Sequence, residues 1–200
     1  MAEILLFVAG YLSGSIPWGY ILCMLFTGKD VRKHGSGNIG ATNVYRVAGA
    51  PVALSVFILD MLKGFLPVYF ATHFFGFNPF QAILTGLLSV IGHNFSIFLR
   101  GRGGKGVATS FGVISGLFPM PALMSLMVWI AVFLATRYVS AGSICASLAL
   151  PLFIRLFDKT PAYTVSGIII CGLILFSHRG NIKRIINGTE NKVTMKWQKK

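Results

Sequence analysis

Long apolar runs alternate with short polar stretches along almost the whole chain. Runs near bilayer length and almost free of charge predict membrane-spanning helices over about residues 4–27, 52–73, 80–99, 107–118, 122–136, 143–156 and 163–178. The last four fall short of the roughly 20 residues that a crossing helix needs. Pro119, Pro121 and Gly142 read as breaks between them, and merging two short pairs reduces the count to five. The expected fold is an all-α integral membrane protein, a bundle of seven transmembrane helices with five as the alternative, forming a single polytopic domain over 1–200. Within the spans, Gly10–Gly14 and Gly112–Gly116 have the small-xxx-small spacing that lets helices approach closely.

Charge adds an orientation. The 200 residues are 54% hydrophobic and only 12% charged, yet Lys and Arg number 18 against 5 Asp and Glu, a net charge of +13. In a soluble chain this excess would suggest nucleic acid, but here the basic residues sit between apolar spans. That distribution fits retention by the positive-inside rule and contact with anionic headgroups, so no nucleic-acid partner is expected. Lys29, Arg32, Lys33 and Arg46 follow the first span, Arg100, Arg102 and Lys105 the third, Arg137 the fifth, and a basic tail the seventh. The alternate loops at 74–79 and 119–121 carry no charge, and Arg155 and Lys159, offset in part by Asp158, are the exceptions. The N-terminus is therefore expected outside and the C-terminus in the cytoplasm. The first span lacks a basic leader and reads as retained, not cleaved. The tail after Asn187 reads as a basic, Trp-bearing interfacial segment.

The polar stretches carry the candidate chemistry. Residues 35–49 read GSGNIGATNVYRVAG, a glycine-rich loop out of keeping with its apolar surroundings. Ser36, Gly37, Asn38 and Gly40 are expected to turn backbone N–H groups toward an anion. Asn38 is the expected cap of a short helix starting near Ile39, with its positive end toward the ligand. On that helix Thr42, Asn43 and Arg46 share a face, and Arg46 suits a bidentate grip on phosphate. A second cluster runs from His93 and Asn94 to Arg100-Gly-Arg-Gly-Gly-Lys105-Gly. Lys105 stands at a helix start as a point charge for phosphate, but Leu99 and Gly106 break the Walker A pattern, so ATP is not expected. His93 is placed about two turns inside the third span. At the end of the last span, His178 and Asn181 share a face, and Ser140 and Ser143 open the preceding span on the same side. Asp60 and Lys63, three residues apart at depth, are expected to pair and support the site. No metal and no cofactor is expected: cations and amides outnumber carboxylates. A phosphate site at a membrane surface fits either lipid chemistry or phosphate transport.

GSIP at 14–17, GSGNIGATNVYR at 35–46 and GHNF with GRGGKGVATS over 92–110 resemble the signature motifs of the bacterial acyl-phosphate:glycerol-3-phosphate acyltransferases, the PlsY-like family. The resemblance extends over most of the chain, including LDMLKG at 59–64. It implies transfer of a fatty acyl group from acyl phosphate to the sn-1 hydroxyl of glycerol 3-phosphate. The products are lysophosphatidic acid and inorganic phosphate, formed at the cytoplasmic face of the bacterial inner membrane as the first acylation of phospholipid synthesis. On this reading Ser36, Gly37, Asn38, Gly40, Thr42 and Asn43 cradle the donor phosphate. Lys105, Arg46 and His178 are the catalytic cations, and Ser143 and Asn181 orient the glycerol hydroxyls. Asp60, Lys63, His93 and Asn94 support them. Membrane lipid is the other partner, and a monomer is expected. The alternative, an organic-phosphate transporter or exchanger, predicts access from both faces and inverted-repeat symmetry. The sequence shows no such repeat, and its uncharged loops carry almost no phosphate-binding groups.

Overall fold

The computed structural model describes residues 2–158 and 160–193 and is helical throughout, with no strand among them. The expected segment 194–200 of the tail, including Trp197, and Lys159 lie outside the described residues. The chain divides into two compact units, Met1–Pro119 and Met120–Lys200.

The first unit is built on α1 (Ala2–Ser15), α2 (Trp18–Thr27), α3 (Ala41–Ala48), α4 (Ala50–His73), α5 (Pro79–Asn94) and α6 (Val107–Leu117). Ile16 and Pro17 interrupt the first apolar run and separate α1 from α2. The proline cannot supply an N–H to continue the hydrogen-bond ladder. A short 3-10 turn, Val31–Lys33, and a second at Ile97–Leu99 follow α2 and α5. Helix α5 starts on a full capping box: Asn78 accepts from the Gln81 N–H, Gln81 accepts from the Asn78 N–H, and Pro79 occupies the first turn. Main-chain contact between helices is made at the small residues. A Cβ on Gly14 would lie 2.0 Å from the Ser89 carbonyl oxygen of α5, and one on Gly112 would lie 2.0 Å from that of Met61 in α4. Gly10 and Gly116 extend the same two seams, so both glycine pairs serve packing.

The second unit contains α7 (Pro119–Thr136, with only its first residue in the other unit), α8 (Val139–Phe157), α9 (Pro161–Ser177) and α10 (Arg179–Ile186). Here the expected boundaries change. Pro119 and Pro121 lie in the first turn of α7, where no intrahelical N–H partner is lost, so they begin a helix of 18 residues instead of breaking one. Ser140, Gly142 and Ser143 belong to α8, which runs for 19 residues.

Among the described residues five segments are long and apolar enough to cross a bilayer: Glu3–Thr27, Ala50–His73, Pro79–Leu99, Pro119–Thr136 and Val139–Phe157. A sixth is the pair Pro161–Ser177 and Arg179–Ile186, bent by 61°. The expected seventh, α6, is apolar but has only 11 residues, about 16 Å of helix by rise, and falls short of the usual crossing length. By length and composition the described residues thus offer five spans, or six with the bent pair, and not by the merging of short segments that the sequence suggests. The outward faces carry exposed Leu25, Leu134, Leu156 and Phe176, as lipid solvation requires.

Candidate active site

The first glycine loop is folded by one side chain. Asn43, on the inner face of α3 and 2% exposed, accepts the Ser36 N–H at 2.8 Å. Its amide nitrogen lies within hydrogen-bond distance of three carbonyls, those of Val31 (3.1 Å), His34 (3.0 Å) and Asn38 (2.9 Å). With both ends of its amide occupied by loop backbone, Asn43 is a clamp and not a phosphate ligand, which corrects its expected place in the cradle. The cradle changes as well. The Ser36 N–H goes to Asn43, the Gly37 N–H to the His34 carbonyl, and the Gly40 N–H to the Asn38 side chain at 2.8 Å. These amides close the loop on itself, because short polar side chains in a glycine-rich turn find backbone partners before they find a ligand. Gly40, not Asn38, is the cap residue, and α3 starts at Ala41. What the loop turns outward is the Ser36 residue, exposed, and Arg46, exposed on the outer face of α3. Among the described residues Arg46 has no hydrogen-bond or ion-pair partner. Thr42, half-buried in the first turn, lies one helical turn from it. The loop rests on α2: a Cβ on Gly19 would sit 1.7 Å from the Ile39 carbonyl oxygen.

Just before this loop, Asp30 caps the 3-10 turn by accepting the Arg32 N–H and takes a two-pronged bond from the Arg32 guanidinium, at 2.9 and 2.8 Å. These bonds hold its carboxyl down to about 2. Arg32 also stacks 4.4 Å over the Tyr20 ring.

The second loop is folded by backbone. The Gly103 and Gly104 N–H groups donate to the Asn94 and His93 carbonyls, at 3.1 and 2.9 Å, so the loop turns back onto the end of α5. His93 and Asn94 are therefore the last residues of that helix, not two turns within it, because the carbonyls left open at a helix end accept these bonds. The fit is tight: a Cβ on Gly104 would lie 2.0 Å from His93 Nε2. Gly106, at φ 77°, caps α6, and half-buried Lys105 immediately precedes the open N–H groups of that helix.

Beneath this loop Lys63 Nζ lies 2.9 Å from Asp60 Oδ1, both side chains almost fully buried, and His93 Nδ1 is 3.8 Å from the same oxygen. Lys63 also donates to the Ile16 carbonyl at 2.8 Å.

In the second unit His178 and Asn181 flank the bend between α9 and α10, and both are buried. His178 Nδ1 lies 2.8 Å from the Ile174 carbonyl. A carbonyl can only accept, so Nδ1 carries the hydrogen. Glu190, a residue the sequence reading passed over, gathers this region. One of its oxygens accepts from Asn181 Nδ2 at 2.5 Å and from Ser140 at 2.8 Å, and the other from Arg184 Nε at 2.6 Å. Burial pushes the Glu190 carboxyl up, but the bonds from Asn181, Ser140 and Arg184 outweigh it and hold it below its ordinary range. An acid among the lysines of the tail was the signal available. Ser143 is not in a loop opening the span: its hydroxyl donates to Val139 within α8 and accepts from Trp129 Nε1 at 3.2 Å.

The structure thus brings Ser36 and Asn38 to Asn43, His93 and Asn94 to the Lys105 loop, Asp60 to Lys63, and Ser140 to Asn181 through Glu190. Lys105 and Arg46 belong to the first unit, His178 and Asn181 to the second.

Known proteins share this fold and much of this sequence. The family model described as glycerol-3-phosphate acyltransferase matches residues 4–188. A glycerol-3-phosphate acyltransferase of Geotalea daltonii is 43% identical over 95% of this chain and 97% of its own length. That of Aquifex aeolicus is 42% identical over 96% and 100%. The crystal structure of PlsY (YgiH), an integral membrane glycerol 3-phosphate acyltransferase, in its glycerol 3-phosphate form superposes with a TM-score of 0.93 at 41% identity, covering 97% of this chain and 96% of that one. Its lysophosphatidic acid form superposes at 0.89. A fold, three motifs and full-length identity agree: this chain belongs to the glycerol-3-phosphate acyltransferase family and is an integral membrane enzyme of phospholipid synthesis.

Proposed function

We propose that the chain, acting over 1–200 as one polytopic domain and as a monomer, transfers a fatty acyl group from acyl phosphate to the sn-1 hydroxyl of glycerol 3-phosphate. The hydroxyl oxygen attacks the acyl carbonyl carbon, the bond from that carbon to the phosphate oxygen breaks, and inorganic phosphate leaves with lysophosphatidic acid formed. The observation that carries this reading is the seating of Lys105: two backbone hydrogen bonds and a glycine with no room for a side chain hold its loop at the start of α6. Two anions must be gathered, and the chain supplies separate cationic elements for them. The similar PlsY structures, solved with glycerol 3-phosphate and with lysophosphatidic acid, support these two as substrate and product.

Ser36 and Thr42 hydroxyls, with the first N–H groups of α3 and Arg46, hold the donor phosphate. Lys105 and His178 grip the glycerol phosphate and the departing phosphate, and Asn181 orients the glycerol. Acyl phosphate is a mixed anhydride with a good leaving group, so no nucleophile on the protein is required. Holding both reactants in line is worth about 7–11 kcal/mol in the best cases, and each cation on the leaving phosphate about 3–4 kcal/mol. The hydroxyl proton passes to a substrate phosphate, since the carboxylate beside Asn181, that of Glu190, is already engaged by Asn181, Ser140 and Arg184. With its Nδ1 hydrogen committed to Ile174, His178 reaches the anions through Nε2 and donates there when protonated. The site faces the cytoplasm at the bacterial inner membrane, with the N-terminus outside, as the basic loops require.

The test is purified protein in detergent with glycerol 3-phosphate, given acyl phosphate and, separately, acyl-CoA. The expected result is lysophosphatidic acid and inorganic phosphate from the first donor only. Equal turnover of acyl-CoA, or none with acyl phosphate, sinks the proposal.

A further inference from the structure

We infer that the buried Asp60–Lys63 pair is a shared positioning device for both anion-binding loops; the inference rests on the proposed role of those loops. A buried ion pair is weak evidence of stability, because desolvation offsets the attraction, so its presence in a lipid-embedded helix calls for another account. The account lies in what else the pair touches. The Lys63 ammonium divides its bonds between Asp60 and the Ile16 carbonyl, in the break between α1 and α2. Among the described residues that carbonyl otherwise receives only the Trp18 N–H, two residues on at 3.1 Å. By capping it, Lys63 fixes where α2 leaves α1, and α2 carries the first loop through the Gly19–Ile39 main-chain contact. The backbone of Lys63 is a junction as well: its carbonyl accepts from Ser13 of α1 and from Ser89 of α5.

The other arm runs through Asp60. Its Oδ1 faces both Lys63 Nζ and His93 Nδ1, at 2.9 and 3.8 Å. The opposite edge of the same imidazole is the wall against which Gly104 packs, and the His93 carbonyl receives the Gly104 N–H. Movement of the pair therefore displaces the α1–α2 break on one side and the Lys105 loop on the other. Lys63 and Asp60 touch neither anion and act as positioning residues.

The experiment compares two double variants that leave no lone buried charge, Asp60→Asn with Lys63→Met and Asp60→Asn with Lys63→Gln. KM for each substrate is measured separately, with thermal unfolding in detergent alongside. Methionine matches lysine in size but cannot donate to Ile16. Its variant is expected to raise KM for glycerol 3-phosphate and for acyl phosphate together, each about tenfold, the scale of one lost buried hydrogen bond. Glutamine still donates, on a stem one bond shorter, and both KM values should rise together by about threefold. If the methionine variant does not fold, the glutamine variant decides alone: both KM values raised together supports a shared anchor. Wild-type KM values in a folded variant with a lowered melting temperature mean a purely structural pair and overturn the inference, as does a change confined to one substrate. Lys105→Ala in the same assay separates the two levels: if it stays active, the loop assignment itself fails, whatever the double variants do.

Discussion

The two glycine-rich loops of the first unit are held in opposite ways. Residues 35–40 are gathered by a side chain, with Asn43 reaching four backbone groups from α3. Residues 101–106 are gathered by main chain, folded onto the open carbonyls at the end of α5. The first arrangement concentrates the loop's order in one residue. The second spreads it over backbone bonds that substitution cannot remove, and makes it vulnerable to added bulk instead. A loop of the first kind breaks by deletion and one of the second kind by insertion of a methyl group.

That contrast can be broken or sharpened by substitution. The largest effect is expected at Lys105→Ala, which leaves the backbone-held loop intact and removes its charge. Activity should fall about 10²–10³-fold while thermal unfolding is unchanged, on the scale of losing one preorganised group that stabilises developing charge. Asn43→Ala should cost about 2–4 kcal/mol, measured by unfolding in detergent, since several backbone groups lose their partner at once. Asn43→Asp, which keeps the acceptor for Ser36 and loses both donors, should recover only a minor part. If Asn43→Ala unfolds like the parent, the side-chain clamp is not what orders the first loop. Gly104→Ala inserts a methyl group against the His93 ring and should cost about 1–3 kcal/mol with a raised KM, whereas alanine at exposed Gly101 meets no neighbour and its cost, about 1 kcal/mol, comes from the positive φ of 76° alone.

Two smaller effects lie with the carboxylates. Glu190 titrates lower in the folded protein than its ordinary 4.5, so the folded state binds its proton less readily than the unfolded chain does. Its stabilisation is complete above about pH 5 and lost as the pH falls through its folded value. Glu190→Gln should flatten the acid limb of a melting-temperature profile below about pH 5. Asp30, held at about 2, behaves likewise over a lower range, from its ordinary 3.8 downward. Because Arg32 is exposed, Asp30→Asn should cost less than about 1 kcal/mol at neutral pH.

Much of this was legible. The apolar runs located nearly every helix, since a residue facing lipid must be apolar wherever it lies in the fold. The glycine loops and Lys105 stood out because polar, flexible sequence is costly at a membrane unless it is used. Three things were not legible. Pro119 and Pro121 look like breakers, but whether a proline ends or begins a helix depends on which turn it occupies. Asn43 looks like a ligand, but its amide had already been taken by loop backbone. Glu190 looks like one acid in a solvated tail until the tail folds back against Ser140, fifty positions earlier in the chain.

The amino-acid order alone determined the lipid-facing character, the family and the residues that can carry charge to a phosphate, because these depend on side-chain chemistry and short-range spacing. The tertiary structure alone decided which of those polar groups remain for a ligand and which are consumed by the fold. A buried donor or acceptor takes whatever partner packing brings within about 3 Å, and the nearest partner in space, such as Ile16 for Lys63, can lie 47 residues away in sequence.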